Sequence, residues 1–405
     1  MQKSSHPAPV STANRPSRSR IPFRLLHNAV TDLAVRPRGN VPALDVLRSL
    51  AFLLVFSGHF APEFGAPAWV TGSPVVYFGW TGVDLFFVLS GLLIGIQLWK
   101  ELNKRGHIDV PGFWLRRGLR IWPLYYCFVA LIVFEGLFFH RPLGGLWADS
   151  TFLSNYFHNQ VGGGWSLSTE EQFYIFIPIA LLLLSRIVPL RCMWAFPITV
   201  LLGLPLGRLL IVQVYGAAVA RQRMYFPIHT HSDGLAVGIL LAWTAVLYPQ
   251  FLTSEVSRKI AAPVAAVLGV ALYLWNPVVF NYTSLALFYG ALTLYGLTIR
   301  QPSGFLHWHG FYIISRLSYG IYLNHFGLLP RIVPSLDSLH RLGIVGFFAA
   351  YLLSFGGCAI FAFGTFVLVE RPFLDIREKW LASRAKPKQR AMPSHVRTSE
   401  EVSAP

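Results

Sequence analysis

The 405-residue chain is 54% hydrophobic and 13% charged, and its mean hydropathy is +0.50. Soluble globular domains carry about 25% charged residues, so this composition excludes a water-soluble enzyme. The formal net charge of +16 comes from 34 Lys and Arg against 18 Asp and Glu, and its concentration in the tails and alternate loops favours a membrane surface over a nucleic-acid partner.

Both ends of the chain are basic. Residues 1–40 hold seven Lys and Arg but a single acid, Asp32, together with several Ser and Pro, which predicts a disordered cytoplasmic tail. A transit peptide has a similar composition and is the alternative for this segment. Residues 373–405 predict a second basic cytoplasmic tail, and residues 41–372 between the tails predict one membrane domain.

Ten apolar segments, separated by short polar breaks, lie between the tails. Their length suits helices that cross a hydrocarbon core of about 30 Å. The sequence therefore predicts an all-α integral membrane protein, a bundle of about ten transmembrane helices. The segments lie near 44–62, 75–98, 119–139, 171–188, 194–214, 234–248, 261–280, 283–299, 311–333 and 343–369.

The charges of the loops predict the orientation of this bundle. Cytoplasmic loops carry more Lys and Arg than the loops on the other side. We therefore expect both termini to be cytoplasmic, in a multi-pass protein of the inner, or plasma, membrane. The basic loops hold Lys100, Lys104, Arg105, Arg116, Arg117, Arg186, Arg191, Arg258, Lys259 and Arg300. The opposite loops hold Arg141, Arg221, Arg223, Arg331 and Arg341.

Ionisable side chains in the apolar segments are candidates for function, because each costs about 2.5–3.5 kcal/mol to insert into a membrane. Arg48 and His59 lie eleven residues apart in the first segment. On a helix they share one face and are about 16 Å apart along the axis. This spacing suits a guanidinium that holds a phosphate group at the cytoplasmic mouth and an imidazole that acts on a hydroxyl deeper in the membrane. A hydrogen-bonded core histidine is the alternative for His59.

The next two segments add one carboxylate and two arginines. Asp84 is the carboxylate of the second segment and needs a buried partner, either Arg or His of a neighbouring helix. A packing pair and a catalytic role are equal alternatives for it. Arg117 and Arg120, at the start of the third segment, share a helix face and suit a clamp for two phosphates. Anchoring at the cytoplasmic interface is the alternative for this pair.

Glu170 and Glu171 stand side by side at the start of the fourth segment. Ser168 and Glu171 fit the S-x-x-E capping box, which would simply begin the helix. Adjacent residues point about 100° apart on a helix, so a cap does not explain Glu170. Both carboxylates are therefore candidates for catalysis.

Polar residues gather again before the sixth segment and in the ninth. The trio His229, His231 and Asp233 is a weak metal signature, and no metal is predicted. Asp233 stays a candidate for lining a polar cavity. Tyr322 and His325 share a face of the ninth segment, and they either line that cavity or bond to neighbouring helices.

Several of these segments resemble the motifs of acyltransferase family 3, the membrane-bound O-acyltransferases. The resemblance covers nearly all of residues 41–380, and six motifs in consistent order make it specific. They are Arg48 to His59 (R-x10-H), Gly82 to Gly91 (GVDLFFVLSG), Arg117 to Arg120 (RxxR), Trp165 to Tyr174 (WSLSxEEQFY), Ser318 to His325 (SYxxYLxH) and Glu370 to Pro372 (ERP).

The resemblance implies a ten-span bundle that transfers an acyl group, usually acetyl from acetyl-CoA, to a hydroxyl of a sugar or another acceptor. It implies that His59 is the catalytic base with Arg48 as its partner, and that Arg117 and Arg120 bind the donor. One architecture of the family adds a soluble esterase-like domain after the bundle. Because about 30 residues follow the last segment here, any second transfer step is expected to need a separate protein.

We expect an acyl-CoA co-substrate from the cytoplasm, no resident cofactor, and a carbohydrate or lipid-linked glycan as the acceptor, with a secreted small molecule as second choice. His59 then deprotonates the acceptor hydroxyl or, alternatively, carries the acyl group itself. The competing function is a transporter or flippase for a polar or lipid-linked solute. In that case Asp84, His59 and His325 relay protons or bind the solute.

Overall fold

The computed structural model of the protein describes residues 21–299 and 304–385. Every regular element in these ranges is helical, which confirms the predicted all-α class. The long helices are α1 Ile21–Ala34, α2 Pro42–Glu63, α3 Gly82–Arg105, α4 Val110–Phe138, α5 Gly164–Leu184, α6 Ala195–Tyr215, α7 Asp233–Leu247, α8 Ala262–Trp275, α9 Asn281–Thr298, α10 His309–Ile332, α11 Gly343–Thr365 and α12 Arg371–Ala385. Short helical segments between them are Ala68–Thr71, Pro74–Tyr77, Gly79–Thr81, Leu146–Ser150, Leu190–Cys192, Ala217–Tyr225, Pro249–Leu252, Ser257–Ala261, Gly304–His307, Val333–Leu342 and Phe366–Glu370.

Seven helical stretches within the described ranges are long and apolar enough to cross a membrane, which supports a multi-pass membrane protein. They are Pro42–Glu63, Gly79–Arg105, Val110–Phe138, Gly164–Leu184, Leu190–Tyr215, Ser257–Trp275 and His309–Arg384. The last stretch contains two predicted spans, whereas α7 and α9, which match two others, are not among the seven. The count of ten and the cytoplasmic termini stay predictions.

Both ends of the described chain are helical. Helix α1 lies in the first predicted tail and α12 in the second, and the two are joined by an ion pair of 3.2 Å between Asp32 and Arg371. The hydroxyl of Tyr312 donates to the backbone carbonyl of Asp32 at 2.8 Å. Residues 21–34 of the first tail, for which disorder is predicted, are thus helical, and contacts with distant segments stabilise them. Residues 1–20 and 386–405 lie outside the described residues.

Helix α3 is the centre of the bundle and packs against α2, α5, α7 and α9. Its closest contact is with α7, where glycines face backbone. A Cβ atom at Gly91 would lie 2.3 Å from the carbonyl oxygen of Leu235, and one at Gly238 would lie 2.3 Å from that of Val88. Small residues allow such close approach, which is a common basis of helix association in membranes.

Helix α2, the first predicted span, is held by aromatic packing. The rings of Phe56 and Phe60 are stacked, with centroids 6.1 Å apart, and each meets the ring of Tyr351 in α11 edge-on at 5.3 Å. Helix α10 packs against both α2 and α11. This packing fixes the axis of α2, so Arg48 and His59 stay at opposite ends of one face.

A buried ion pair joins α6, α7 and α9. Arg208, which is fully buried, donates from Nη1 and Nη2 to the carboxylate oxygens of Asp233 at 2.8 and 3.0 Å. The hydroxyl of Thr283 donates to the same carboxylate at 2.6 Å. A buried pair of this kind is stable only while both charges are present.

We predict that Asp233→Ala destabilises the protein by about 3–5 kcal/mol, because the buried guanidinium of Arg208 loses its counter-charge. The melting temperature of the detergent-purified protein measures this, with Arg191→Gln, which removes an exposed cation, as the control. The double variant Arg208→Leu/Asp233→Leu should recover part of the loss. A wild-type melting temperature for Asp233→Ala would contradict the structural role of the pair.

Candidate active site

Four arginines line one cavity of about 1100 Å³ between the helices. Arg48 comes from α2, Arg117 and Arg120 from α4, and Arg316 from α10. We call this space the arginine cavity. The fold thus brings together the three arginines that the sequence singled out and adds a fourth.

The four guanidinium groups have no ion-pair partner within residues 21–299 and 304–385. Arg117 lies instead over the rings of Phe113 and Tyr174, at 5.9 and 5.8 Å from their centroids. Like charges that share apolar surroundings destabilise one another. The arginine cavity is therefore suited to an anion, and planar guanidinium groups bind phosphate and carboxylate through two parallel hydrogen bonds.

Two carboxylates in the arginine cavity, Glu170 of α5 and Glu370 of the segment before α12, offset only half of this positive charge. The carboxylate of Glu170 accepts hydrogen bonds from the hydroxyl groups of Ser90, at 3.0 Å, and Tyr174. These two donors fix its orientation in the wall of the cavity. Glu170 thus lines the arginine cavity, and its catalytic role stays a prediction.

Glu171 points away from the arginine cavity. It is buried against α4, where its carboxylate accepts a hydrogen bond from the indole of Trp122 at 2.9 Å. The capping-box alternative is also wrong, because α5 begins at Gly164, one turn before Ser168. The structure therefore brings only one of the two adjacent carboxylates to the site, since neighbours on a helix point about 100° apart.

His59 and His325 form a hydrogen-bonded pair at the other end of α2. Nδ1 of His325 lies 2.6 Å from the carbonyl oxygen of Tyr322, which only accepts, so Nδ1 carries the hydrogen. Nε2 of the neutral His325 ring is then an acceptor, and Nδ1 of His59 donates to it at 3.2 Å. This arrangement leaves Nε2 of His59 without a proton, as a base or a nucleophile requires. His325 is fully buried, whereas His59 is exposed.

Tyr322 connects the histidine pair to the arginine cavity. Its ring lines the cavity, its hydroxyl lies 2.6 Å from that of Ser166, and its backbone carbonyl holds His325. Arg48 lies about 16 Å from His59 along the same face of α2. Tyr322 therefore lies between the arginine cavity and the histidine pair, whereas His59 and His325 do not line that cavity.

Asp84 and Asp233 lie away from the arginine cavity. Asp84 accepts a hydrogen bond from Nε2 of His231 at 2.9 Å, which confirms the prediction that its partner is Arg or His. The structure does not bring this pair to the cavity, and both residues are buried in aromatic surroundings. Asp233, expected to line a polar cavity, does not line the arginine cavity, and both of its carboxylate oxygens bind the buried Arg208.

The histidines and the aspartate of the weak metal signature have separate partners. His229 lies 2.9 Å from the hydroxyl of Tyr156, His231 binds Asp84, and Asp233 binds Arg208. Among the described residues, no group of three or more His, Cys, Asp or Glu side chains is arranged to hold a metal ion.

Sequence reasoning missed Arg316, Arg208 and the hydroxyl of Ser166. Arg208 is the only charged residue of the predicted span 194–214, so the signal that singled out Arg48 was present there. Arg316 lies two residues before the Ser318–Tyr319 motif, and only the packing of α10 against α2 shows that it joins the other arginines. No pattern distinguishes Ser166 from an ordinary helix-start serine.

These observations define a multi-pass helical membrane protein with an arginine-lined cavity and a histidine pair beside it. A family model described as "Acyltransferase domain" matches residues 41–363. The chain belongs to this acyltransferase family, which confirms the resemblance found in the motifs.

Proteins with similar sequences include the peptidoglycan O-acetyltransferase OatA of Listeria monocytogenes. It is 29% identical over 339 residues, which cover 74% of this chain and 51% of that protein. The O-acetyltransferase OatA of Staphylococcus aureus is 25% identical over 322 residues, which cover 71% of this chain and 50% of that protein. The chain thus spans about half the length of the curated relatives it matches. No solved structure matches it.

The arginine cavity predicts a difference in chemical accessibility between two neighbouring residues of α3. Gln97 lines the cavity and is exposed, whereas Leu98 is fully buried. In a chain whose native cysteines are replaced, we expect Gln97→Cys to react with a water-soluble thiol reagent much faster than Leu98→Cys. Mass spectrometry of the labelled protein measures both rates, and equal rates would contradict a solvent-filled cavity.

Proposed function

We propose that the protein is a membrane O-acetyltransferase, which transfers an acetyl group from acetyl-CoA to a hydroxyl of a polysaccharide or lipid-linked glycan. Membership of the acyltransferase family and similarity to a peptidoglycan O-acetyltransferase support the reaction and the class of acceptor. The observation that carries the proposal is the connection, through Tyr322, between the arginine cavity and the histidine pair.

The arginine cavity supports acetyl-CoA as the donor. This molecule carries phosphate groups at one end and the reactive thioester at the other, joined by a long, flexible arm. Phosphate oxygens match the unpaired guanidinium groups of Arg48, Arg117 and Arg120. With the phosphates at these arginines, the arm follows α2 and brings the thioester towards His59.

In this proposal His59 is the general base. Its Nε2 takes the proton of the acceptor hydroxyl, and the hydroxyl oxygen attacks the carbonyl carbon of the thioester. The carbon–sulfur bond then breaks, and the departing CoA sulfur receives the proton from His59. His325 is a positioning residue, because its hydrogen bond holds His59 in the tautomer with a free Nε2. The alternative, in which the same nitrogen carries the acetyl group, uses the same geometry.

The proposal includes ten spans and cytoplasmic termini in the inner membrane. The arginine end of α2 is its amino-terminal end. The basic helix α12 lies at the same end of the bundle, because its residues Arg371 and Arg377 line a cavity together with Arg120 and Arg316. Basic segments are typical of the cytoplasmic side. In this orientation the donor reaches the arginines from the compartment that contains acyl-CoA.

We predict that His59→Ala abolishes O-acetylation, because a general base contributes about 10²–10⁴-fold to the rate. Mass spectrometry of surface polysaccharides and lipids compares wild type, a deletion strain, His59→Ala and His107→Ala, an exposed control histidine. An acetyl group present in wild type and in the control alone supports the proposal.

Two other outcomes of this comparison count against it. Retention of the acetyl group in His59→Ala, with the protein present in the membrane, would show that His59 is not the base. Identical masses in all strains, together with no binding of radiolabelled acetyl-CoA by the purified protein, would favour a transporter or flippase.

We predict that His325→Gln keeps a larger part of the activity than His325→Leu. A glutamine side chain can donate to the carbonyl of Tyr322 and accept from Nδ1 of His59, whereas leucine can do neither. Loss of such a positioning contact reduces activity by about 10–100-fold. We expect kcat to fall while KM for acetyl-CoA stays constant, and equal activity of both variants would show that His325 only fills space.

A further inference from the structure

A second cavity, of about 800 Å³, lies between the arginine cavity and the two terminal helices. It shares Arg120, Arg316 and Glu370 with the arginine cavity, so the two cavities have a common wall. Its other walls include Asp32, just inside the end of α1, and Arg371 and Arg377 of α12. We call this space the vestibule.

The arginines of the vestibule differ in whether they have partners. Arg371 is neutralised, since its guanidinium lies 3.2 Å from Asp32, 3.1 Å from Asp375 and 3.4 Å from Glu378. Arg377, by contrast, has no ion-pair partner within the described ranges. Its Nε is buried without a hydrogen bond, as is the Nε of Arg371.

The Nε of Arg316, like that of Arg377, is buried without a hydrogen-bond partner. Arg120, at the common wall, is a third arginine without an ion-pair partner within the described ranges. Glu370 lies nearby and forms no direct ion pair with an arginine in these ranges. The residues that line the vestibule carry four positive charges, on Arg120, Arg316, Arg371 and Arg377, and three negative charges, on Asp32, Glu370 and Glu378, which leaves a net charge of about +1. The three arginines without an ion-pair partner provide the hydrogen-bond donors that a phosphate monoester, with a charge of about −1.5 to −2 at neutral pH, requires.

We propose that Arg120, Arg316 and Arg377 form a second phosphate subsite, which binds the terminal phosphate monoester at the nucleotide end of the acyl donor. The inference rests on the proposed acetyl-CoA donor and extends it, because the remaining phosphates of the donor then lie near Arg48 and Arg117 in the arginine cavity. Arg377 lies outside residues 41–363, which the family model matches, so membership of the family does not assign it this role.

The position of α12 is set before any ligand binds. Arg371 near its start pairs with Asp32 of α1, and Arg384 near its end pairs with Asp109 before α4 at 2.8 Å. Arg377 lies between these two attachments. Because both attachments hold the backbone of α12 in place, Arg377 binds a ligand with little loss of backbone entropy.

The test compares the binding of two ligands by the full-length purified protein in nanodiscs. One is acetyl-CoA, and the other is acetyl-dephospho-CoA, which lacks only the terminal phosphate monoester. Wild type should bind acetyl-CoA about tenfold more tightly, because charge-assisted hydrogen bonds to phosphate are lost with the second ligand. Arg377→Gln and Arg316→Gln should weaken binding of acetyl-CoA and leave that of acetyl-dephospho-CoA nearly unchanged.

Lys379→Gln is the matched control, since it removes an exposed cation from the same helix that does not line the vestibule. This variant should keep the wild-type ratio of affinities, and Arg377→Lys should give an intermediate ratio. Equal affinity of wild type for both ligands, or an unchanged ratio in Arg377→Gln and Arg316→Gln, would overturn the subsite while leaving the donor intact. Binding of neither ligand by wild type would overturn the proposed donor and the subsite together.

Discussion

The site depends on the packing that holds α2 straight between α3, α10 and α11. Arg48 and His59 belong to one helix, so their separation of about 16 Å is set by helix geometry alone. Aromatic contacts of Phe56 and Phe60 with Tyr351 prevent the helix from tilting away from α11. The arginine cavity at one end of α2 and the histidine pair at the other are consequences of this fixed axis.

Ionisable residues inside the bundle fall into two groups that differ in their partners. Arg208 with Asp233, and Asp84 with His231, are buried pairs whose contacts join helices. The arginines of the cavity have no such partners among the described residues, and none of them is fully buried. Ionisable residues without a partner in an apolar bundle are candidates for function, so the absence of a direct partner distinguishes the candidate site from the buried pairs.

The sequence predicted the all-helical class, the membrane setting and the family, because each of these depends on local patterns of hydropathy and on ordered motifs. It also identified Arg48, His59, Arg117 and Glu170, whose chemistry is unusual for an apolar segment. Orientation about a helix axis was harder to predict. Glu170 lines the arginine cavity and its neighbour Glu171 does not. The local sequence does not indicate which side of helix α5 faces that cavity.

The sequence by itself determined which residues are chemically able to act, since an arginine or a histidine in an apolar segment is visible in one dimension. Only the tertiary structure decided which of them lie together in one cavity. Arg316 joins the arginine cavity, and Asp233 leaves it for Arg208, because helices distant in sequence pack side by side. The order of the terminal helices was decided in the same way, since Asp32 and Arg371 are 339 residues apart in the chain and 3.2 Å apart in space.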